Sequence, residues 1–448
     1  MSKRIRLDKL HLHNYRCFEL FDIDFDPELT ALVARNGGGK TAVLDAIAAA
    51  FGPFIKTLNS AAGGGVIRRE DARLRQNPTR ALKEMEPQYP VVLKAKGLLD
   101  DHVFDWTREL ATARSHTRFA EDWVIREYAQ QLRRSVQEHE PVALPVISYY
   151  GTGRLWGRRR LSRGQKGQST SRLRGYKDCL DPSSSYRDFE TWFRKLHLVV
   201  LEEGESRSPA RGEAEGQLAA VRGAVDTALA VTGWSGLRYR HAAEGIVASH
   251  PTHGELSVGQ LSDGLRNVIG VIADMAYRMV SLNPHLGERA AKQTPGVVLI
   301  DEVDMHLHPE WQQVVLDSLR NAFPQVQFIV TTHSPQVLTT VGRKNIRLLE
   351  ERDGRIGAAQ PLQNPYARES RVALEDVMAV RSRPPVTAAR AVEEYQALVE
   401  KGDIDSPRSR ELRQELEREF GVNSEELQLA DLVIAKWQAL RHGRGPKP

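Results

Sequence analysis

Between residues 261 and 335 three blocks stand in a fixed order: Leu261-Ser262-Asp263-Gly264, then Val297-Val298-Leu299-Ile300-Asp301-Glu302, then Thr331-Thr332-His333-Ser334-Pro335. The middle block constrains the fold most. Four apolar residues ahead of two acids read as a buried parallel strand ending in carboxylates, and open α/β sheets bind ligands outside the carboxyl ends of their strands. A Ser-Gly turn before that strand and a His after the next one are then separated parts of a single phosphate site. To bring them together the chain must be an α/β protein, with a mostly parallel sheet and helices between its strands.

An earlier segment supplies the remaining part. Ala34-Arg35-Asn36-Gly37-Gly38-Gly39-Lys40-Thr41 follows a short apolar run and opens a helical pattern, the context in which a glycine loop wraps phosphates. Asn36, Gly37, Gly38 and Gly39 offer backbone N–H groups and a helix N-terminus to an anion. Lys40 is expected at the β and γ phosphates and the Thr41 hydroxyl at Mg²⁺, so ATP and Mg²⁺ are the expected cofactors. Ala34 stands where the usual pattern has its first glycine, a change that costs little if its φ stays negative. Asp301 is placed to hold a water of the Mg²⁺ shell. Glu302, on the other side of the strand, is placed to orient and deprotonate the attacking water. His333 can donate to the γ-phosphate and sense its loss.

Ser262 and Gly264 open a second helix, predicted over residues 263 to 280, and its N-terminus makes a second anion site. Alone, such a block is more often a simple N-cap. Because one chain already uses a helix N-terminus at Lys40, the second is best explained if it meets a γ-phosphate held by another protomer. That implies a head-to-tail homodimer, or a higher assembly of such dimers, with ATP between the faces.

The 448 residues, 41% hydrophobic, suffice for two or three domains with cores of their own. The N-terminal residues alternate charged and apolar, unlike a signal peptide. The longest apolar helical pattern, residues 268 to 280, is interrupted by Asp274 and Arg278, short of the roughly 20 residues of a membrane helix. A cytoplasmic protein without a membrane partner is expected. Cys17 and Cys179 stand far apart, which excludes a zinc hook, a zinc ribbon and a disulfide framework. The net charge of +5 weakly favours an acidic partner such as nucleic acid.

Residues 1 to 150 read as a first lobe, with antiparallel strands at the N-terminus, the glycine loop, a helix over 40 to 51, a charged helical stretch over 114 to 138 and a strand over 142 to 150. A basic loop and helical insert follow over 151 to 236. Nine basic residues and no acid lie between 154 and 177, among them Arg158, Arg159 and Arg160. The second lobe, 237 to 362, carries the three blocks and a helix over 309 to 322. Residues 363 to 448 form a tail with helices over 387 to 401, 406 to 420 and 424 to 441.

The combination resembles the ABC-type heads of SMC and RecF proteins, and more narrowly the AAA-labelled ATPases of prokaryotic anti-phage systems. The residues that carry this resemblance are 7 to 18, 36 to 41, 261 to 267 and the block Asp301-Glu302-Val303-Asp304-Met305-His306-Leu307-His308-Pro309-Glu310-Trp311. That last block looks like the PtuA-like ATPase subunits of Septu and retron-associated systems. The resemblance implies a P-loop NTPase head, an ATPase that senses or regulates, and a separate nuclease effector of HNH type. It makes Arg16 a candidate nucleotide contact and puts Asp304 in the loop that communicates across the dimer, while residues 149 to 154 stand in for the lobe-coupling glutamine loop. A second reading is a RecF- or SMC-like repair ATPase that binds DNA directly through the basic block, where only Trp156 and Tyr176 offer base stacking.

Overall fold

The computed structural model describes residues 5–60, 62–76, 85–100, 102–114, 122–153, 171–182, 186–204 and 208–442. The chain divides into two compact units, residues 1–378 and 379–448. Residues 154–170 of the basic block, with Arg158, Arg159 and Arg160, lie outside the described residues.

In the first unit β1 (Ile5–Tyr15) and β2 (Phe18–Asp24) alternate buried and open positions, and β3 (Leu29–Val33) is buried throughout. A small ribbon, β4 (Leu74–Gln76) and β5 (Met85–Pro87), precedes β6 (Val91–Leu99) and β7 (His102–Leu110). Then come β8 (Val146–Tyr150) and a three-stranded sheet of β9 (Ser235–Arg240), β10 (Gly245–His250) and β11 (Gly254–Ser257). The chain closes this unit with β12 (Gly296–Ile300), β13 (Val326–Thr331), β14 (Ile346–Arg352) and β15 (Arg355–Ala359).

Two sheets organise these strands. β2-β1-β6-β7 is antiparallel, as one open face of alternating residues requires. β15-β14-β3-β13-β12-β8 is parallel except for β15, and its central strands are buried along their whole length and mostly apolar, as strands covered on both faces are. Buried Gln327 ties the sheets: its amide donates to the carbonyls of Leu7 and Asp26 at 2.7 and 2.9 Å and accepts from Leu7 N at 2.8 Å.

The first helix corrects the sequence reading. Helix α1 (Lys40–Leu58) runs past residue 51, through Pro53. Proline removes the N–H that would bond the carbonyl four residues back, Ala49 O. The buried guanidinium of Arg108 donates to that carbonyl instead, and to Gly65 O at 2.7 Å, so the helix continues. Trp106 Nε1 takes the next carbonyl, Ala50 O, at 3.0 Å. Among the described residues α1 is the helix long and apolar enough to cross a membrane, contrary to the expectation that no stretch approaches that length, and most of it is buried in the core.

Other bounds shift for local reasons. The strand expected over 142 to 150 begins only at Val146, because the Leu144 backbone is held by the Asn283 side chain at 2.7 and 2.8 Å and Pro145 has no N–H to give. Helix α2 (Trp123–Gln137) lies within the stretch expected over 114 to 138, of which residues 115–121 lie outside the described residues. The insert holds α3 (Arg187–Glu202) and α4 (Pro209–Leu229), the second begun by Ser208, whose hydroxyl accepts from Arg211 N. Helix α5 (Asp263–Leu282) is capped by Ser262 and packs on β8 and α4. The helix expected over 309 to 322 breaks into Pro309–Gln312 and Val315–Ala322, where Gln312 is pinned by Leu307 O and the Ser334 hydroxyl.

The second unit holds helices Thr387–Glu400, Pro407–Phe420 and Glu425–His442 around a small core of Val392, Tyr395, Val399, Leu412, Leu416 and Leu427. Arg413 joins two of them, pairing with Glu417 on its own helix and with Asp431 on the next.

Candidate functional site

The carboxyl ends of β3, β12 and β13 bring the separated blocks together. The glycine loop leaves β3, with Asn36 and Gly37 exposed and Gly37 and Gly39 in the left-handed region at φ 79° and 90°. Gly39 is required twice over: besides its φ, a Cβ there would stand 2.5 Å from the Phe18 ring and 2.9 Å from Cys17 Sγ. Gly38 N donates within the loop to Arg35 O at 3.0 Å, while Ala34 avoids positive φ, as its replacement of glycine demands. Lys40 is buried and turns its ammonium onto Ala34 O at 3.1 Å. Burial lowers the Lys40 pKa from its ordinary value, and Asp301, Glu302 and Asp304 act against that, so the cation and three acids face one place.

The Asp-Glu pair is fixed by a residue that the sequence reading did not single out. Thr331, the last residue of β13, donates its hydroxyl to Asp301 Oδ1 at 2.6 Å and accepts from Glu302 N at 2.7 Å. Thr41 donates to Asp301 Oδ2 at 2.9 Å. One hydroxyl therefore holds both acids, and the other joins β12 to the start of α1 across 260 positions of sequence. The signal was present, since Thr331 opens the block that was read for its His. Glu302 does not continue the strand's alternation: at φ 49° the backbone turns left-handed, which takes the carboxylate out of the sheet. His333 follows β13, which neighbours β12 in parallel register, and is half-buried. Asp304 sits next in the turn, with Oδ1 buried and without a hydrogen-bond partner.

At the start of α5, Ser262 and Asp263 are exposed, and the Ser262 hydroxyl caps Leu265 N at 3.5 Å. Gly264 has a different place from its neighbours. It is buried, and a Cβ on it would meet His306 O at 2.2 Å, so the glycine lets α5 close onto the turn that follows Glu302. Arg16 lies in the left-handed turn between β1 and β2 and is engaged within the chain: Nη1 on Asp45 Oδ2 at 2.5 Å and Nε on Asp71 Oδ1 at 2.8 Å.

The site suits a magnesium nucleotide. A hard divalent cation that keeps part of its water shell takes oxygen donors such as the Thr41 hydroxyl and the Asp301 carboxylate, which are already joined here. The loop's glycine cradle and a buried lysine suit a polyphosphate.

Comparison with known proteins agrees. An AAA domain family matches residues 9–197, and a second, described as AAA domain, putative AbiEii toxin, Type IV TA system, matches residues 237–339. The retron Vc95 probable ATPase of Vibrio cholerae serotype O1 biovar El Tor is 24% identical, over 92% of this chain and 87% of that one. The Septu protein PtuA of Bacillus mycoides (strain KBAB4) is 38% identical over 109 residues, 24% of this chain and 14% of that one. The chain is an ATPase with AAA domains, similar to retron probable ATPases and, over a shorter stretch, to the Septu protein PtuA. Among solved structures, the SMC head domain from Thermotoga maritima covers 79% of this chain and 98% of its own at 14% identity, with a TM-score of 0.43. In this ATPase the first family match takes in the glycine loop and runs into the insert as far as residue 197, and the second begins where the insert ends and takes in the three later blocks.

Proposed function

We propose that this ATPase is the regulatory subunit of a cytoplasmic defence complex: two chains close head to tail on ATP, hydrolysis reopens them, and a separate nuclease of HNH type is the effector they control. The observation that carries the reading is the Thr331 hydroxyl, which fixes Asp301 and Glu302 together while Thr41 ties Asp301 to the phosphate loop. In that reading residues 36–39 and Lys40 hold the phosphates, and Thr41 and Asp301 hold Mg²⁺. When bound there, Mg²⁺ would supply positive charge to offset the negative charge that develops on the phosphates. Glu302, turned out of the sheet, orients the attacking water and takes its proton. His333 senses the γ-phosphate, and exposed Ser262, with the α5 N-terminus that Gly264 sets against the turn, completes the site of the other chain. Residues 1–150 and 237–362 serve as the two ATPase lobes.

Glu302→Gln keeps the shape of the side chain and removes the base. Turnover should fall about 100- to 1,000-fold with ATP affinity retained, and light scattering should show an ATP-dependent dimer that persists. Undiminished turnover removes Glu302 as the base. Pulled down from its native cells with ATP, the same variant should bring an HNH nuclease with it; if no nucleotide state does so, the regulatory assignment fails.

A further inference from the structure

Strand β8 ends in two tyrosines, and the first carries an open polar group at the site. Tyr149 is 2% exposed. Its parallel register with Leu299 of β12 puts it on the sheet face that Asp301 shares two residues later. Its hydroxyl is buried with no partner at hydrogen-bond geometry. After burial, Asp45 of α1 nevertheless stands close enough to raise its pKa both by charge and as an acceptor of the hydroxyl, and Asp301 raises it by charge.

The neighbours explain where such a group could be satisfied. Asp301 accepts from Thr41 and Thr331, and neither of its oxygens stands at hydrogen-bond geometry to the Tyr149 hydroxyl. Asp45 is held from the far side by Arg16, which Asp71 holds in turn. A chain Asp71, Arg16, Asp45, Tyr149 thus runs inward and stops one group short of Asp301. Buried phenols normally find a partner, and one left open beside a metal carboxylate is completed most simply by ligand water. A phenol can accept one hydrogen bond while donating another.

We propose that Tyr149 is a positioning residue for the hydration shell of Mg²⁺, accepting from a shell water and donating to Asp45, with Arg16 and Asp71 fixing the outer end. This rests on the reading that Thr41 and Asp301 hold the ion, and the test separates the two. Arg16 then acts on the nucleotide through Asp45 and Tyr149.

The measurement is the affinity of the full chain for ATP with Mg²⁺ and with EDTA, together with the melting temperature of the nucleotide-free protein. Tyr149→Phe keeps the ring and deletes one oxygen. It should reduce the Mg²⁺-dependent gain in ATP affinity by about threefold to tenfold, the range of one hydrogen bond, leave affinity in EDTA unchanged and not lower the melting temperature. Thr41→Ala, measured in parallel, should erase more of the gain. If Thr41→Ala reduces the gain and Tyr149→Phe does not, this proposal is overturned and the metal site stands. A gain unaltered by Thr41→Ala overturns both. A lower melting temperature in Tyr149→Phe with the gain intact makes the hydroxyl a structural group only and likewise overturns it.

Discussion

Tyr149 and Tyr150 are neighbours on one strand, face opposite sides of the sheet and end in opposite conditions. Tyr150 points toward α5, where its hydroxyl donates to Asp274 Oδ2 at 2.8 Å. Arg278 Nε donates to the same oxygen at 2.7 Å, and Arg278 Nη1 reaches Gly175 O and Lys177 O at 3.0 and 2.8 Å. That network is buried and closed. It fixes the helix that begins with Ser262 to the strand beside Asp301, and it clamps the described end of the basic block. On the other face the Tyr149 hydroxyl has Asp45 within reach as an acceptor but not at hydrogen-bond geometry, with Asp301 nearby. Buried polar groups that are fully satisfied specify a structure, whereas one that is not satisfied marks where something else belongs.

The closed network offers the largest effect. Asp274→Ala would leave the Arg278 guanidinium buried without its counter-charge and should cost about 3–5 kcal/mol of stability in urea unfolding of the full chain. A loss below about 1 kcal/mol would mean that water or backbone carbonyls already carry the arginine, and the contrast between the two faces would fail. Next in size is Tyr150→Phe, which leaves the Asp274 and Arg278 pair intact and should cost about 1–2 kcal/mol. Compared with Tyr149→Phe it sharpens the contrast: the same atom deleted from adjacent residues should lower stability in one case and Mg²⁺ dependence in the other. Equal losses of stability from both would make the two faces equivalent.

Much of this was legible in the residues. A run of apolar residues ending in Asp301, and the glycine loop between a short apolar run and a helical pattern, each report a buried strand and its carboxyl edge, because the strands of a covered sheet are apolar on both faces. What could not be read were contacts set by register and by compensation. Pro53 reads as a helix stop, and only the fold brings Arg108 to the carbonyl that it orphans. The alternation rule puts Glu302 opposite Asp301, yet a left-handed turn at φ 49° decides where it goes. Gly264 read as part of an anion site, and its buried Cα approach to His306 appears only when the turn after β12 folds back on α5. Arg16 pointed to the nucleotide by resemblance; its two carboxylate partners come from positions 45 and 71. Tyr149 could be named as part of a lobe-coupling segment, but its facing Asp45 follows from pairing with a strand that lies far along the chain.

The smallest expected effect concerns Asp45, the group next to the open end. Burial raises its pKa above the ordinary carboxylate range, and Arg16 only partly offsets this. With a folded pKa above the unfolded one, the native state keeps a proton that the unfolded chain has already lost across the window between them. Stability from this group is therefore present below the unfolded value and declines as pH rises through the folded one. Asp45→Asn removes the titration and can still accept from Arg16. Urea unfolding of both proteins across the acid range should show the native chain losing stability relative to the variant as pH increases through that window. Parallel curves would mean that the carboxylate is as well solvated folded as unfolded, and the side of the sheet that holds Tyr149 would then be wetter than its buried hydroxyl implies.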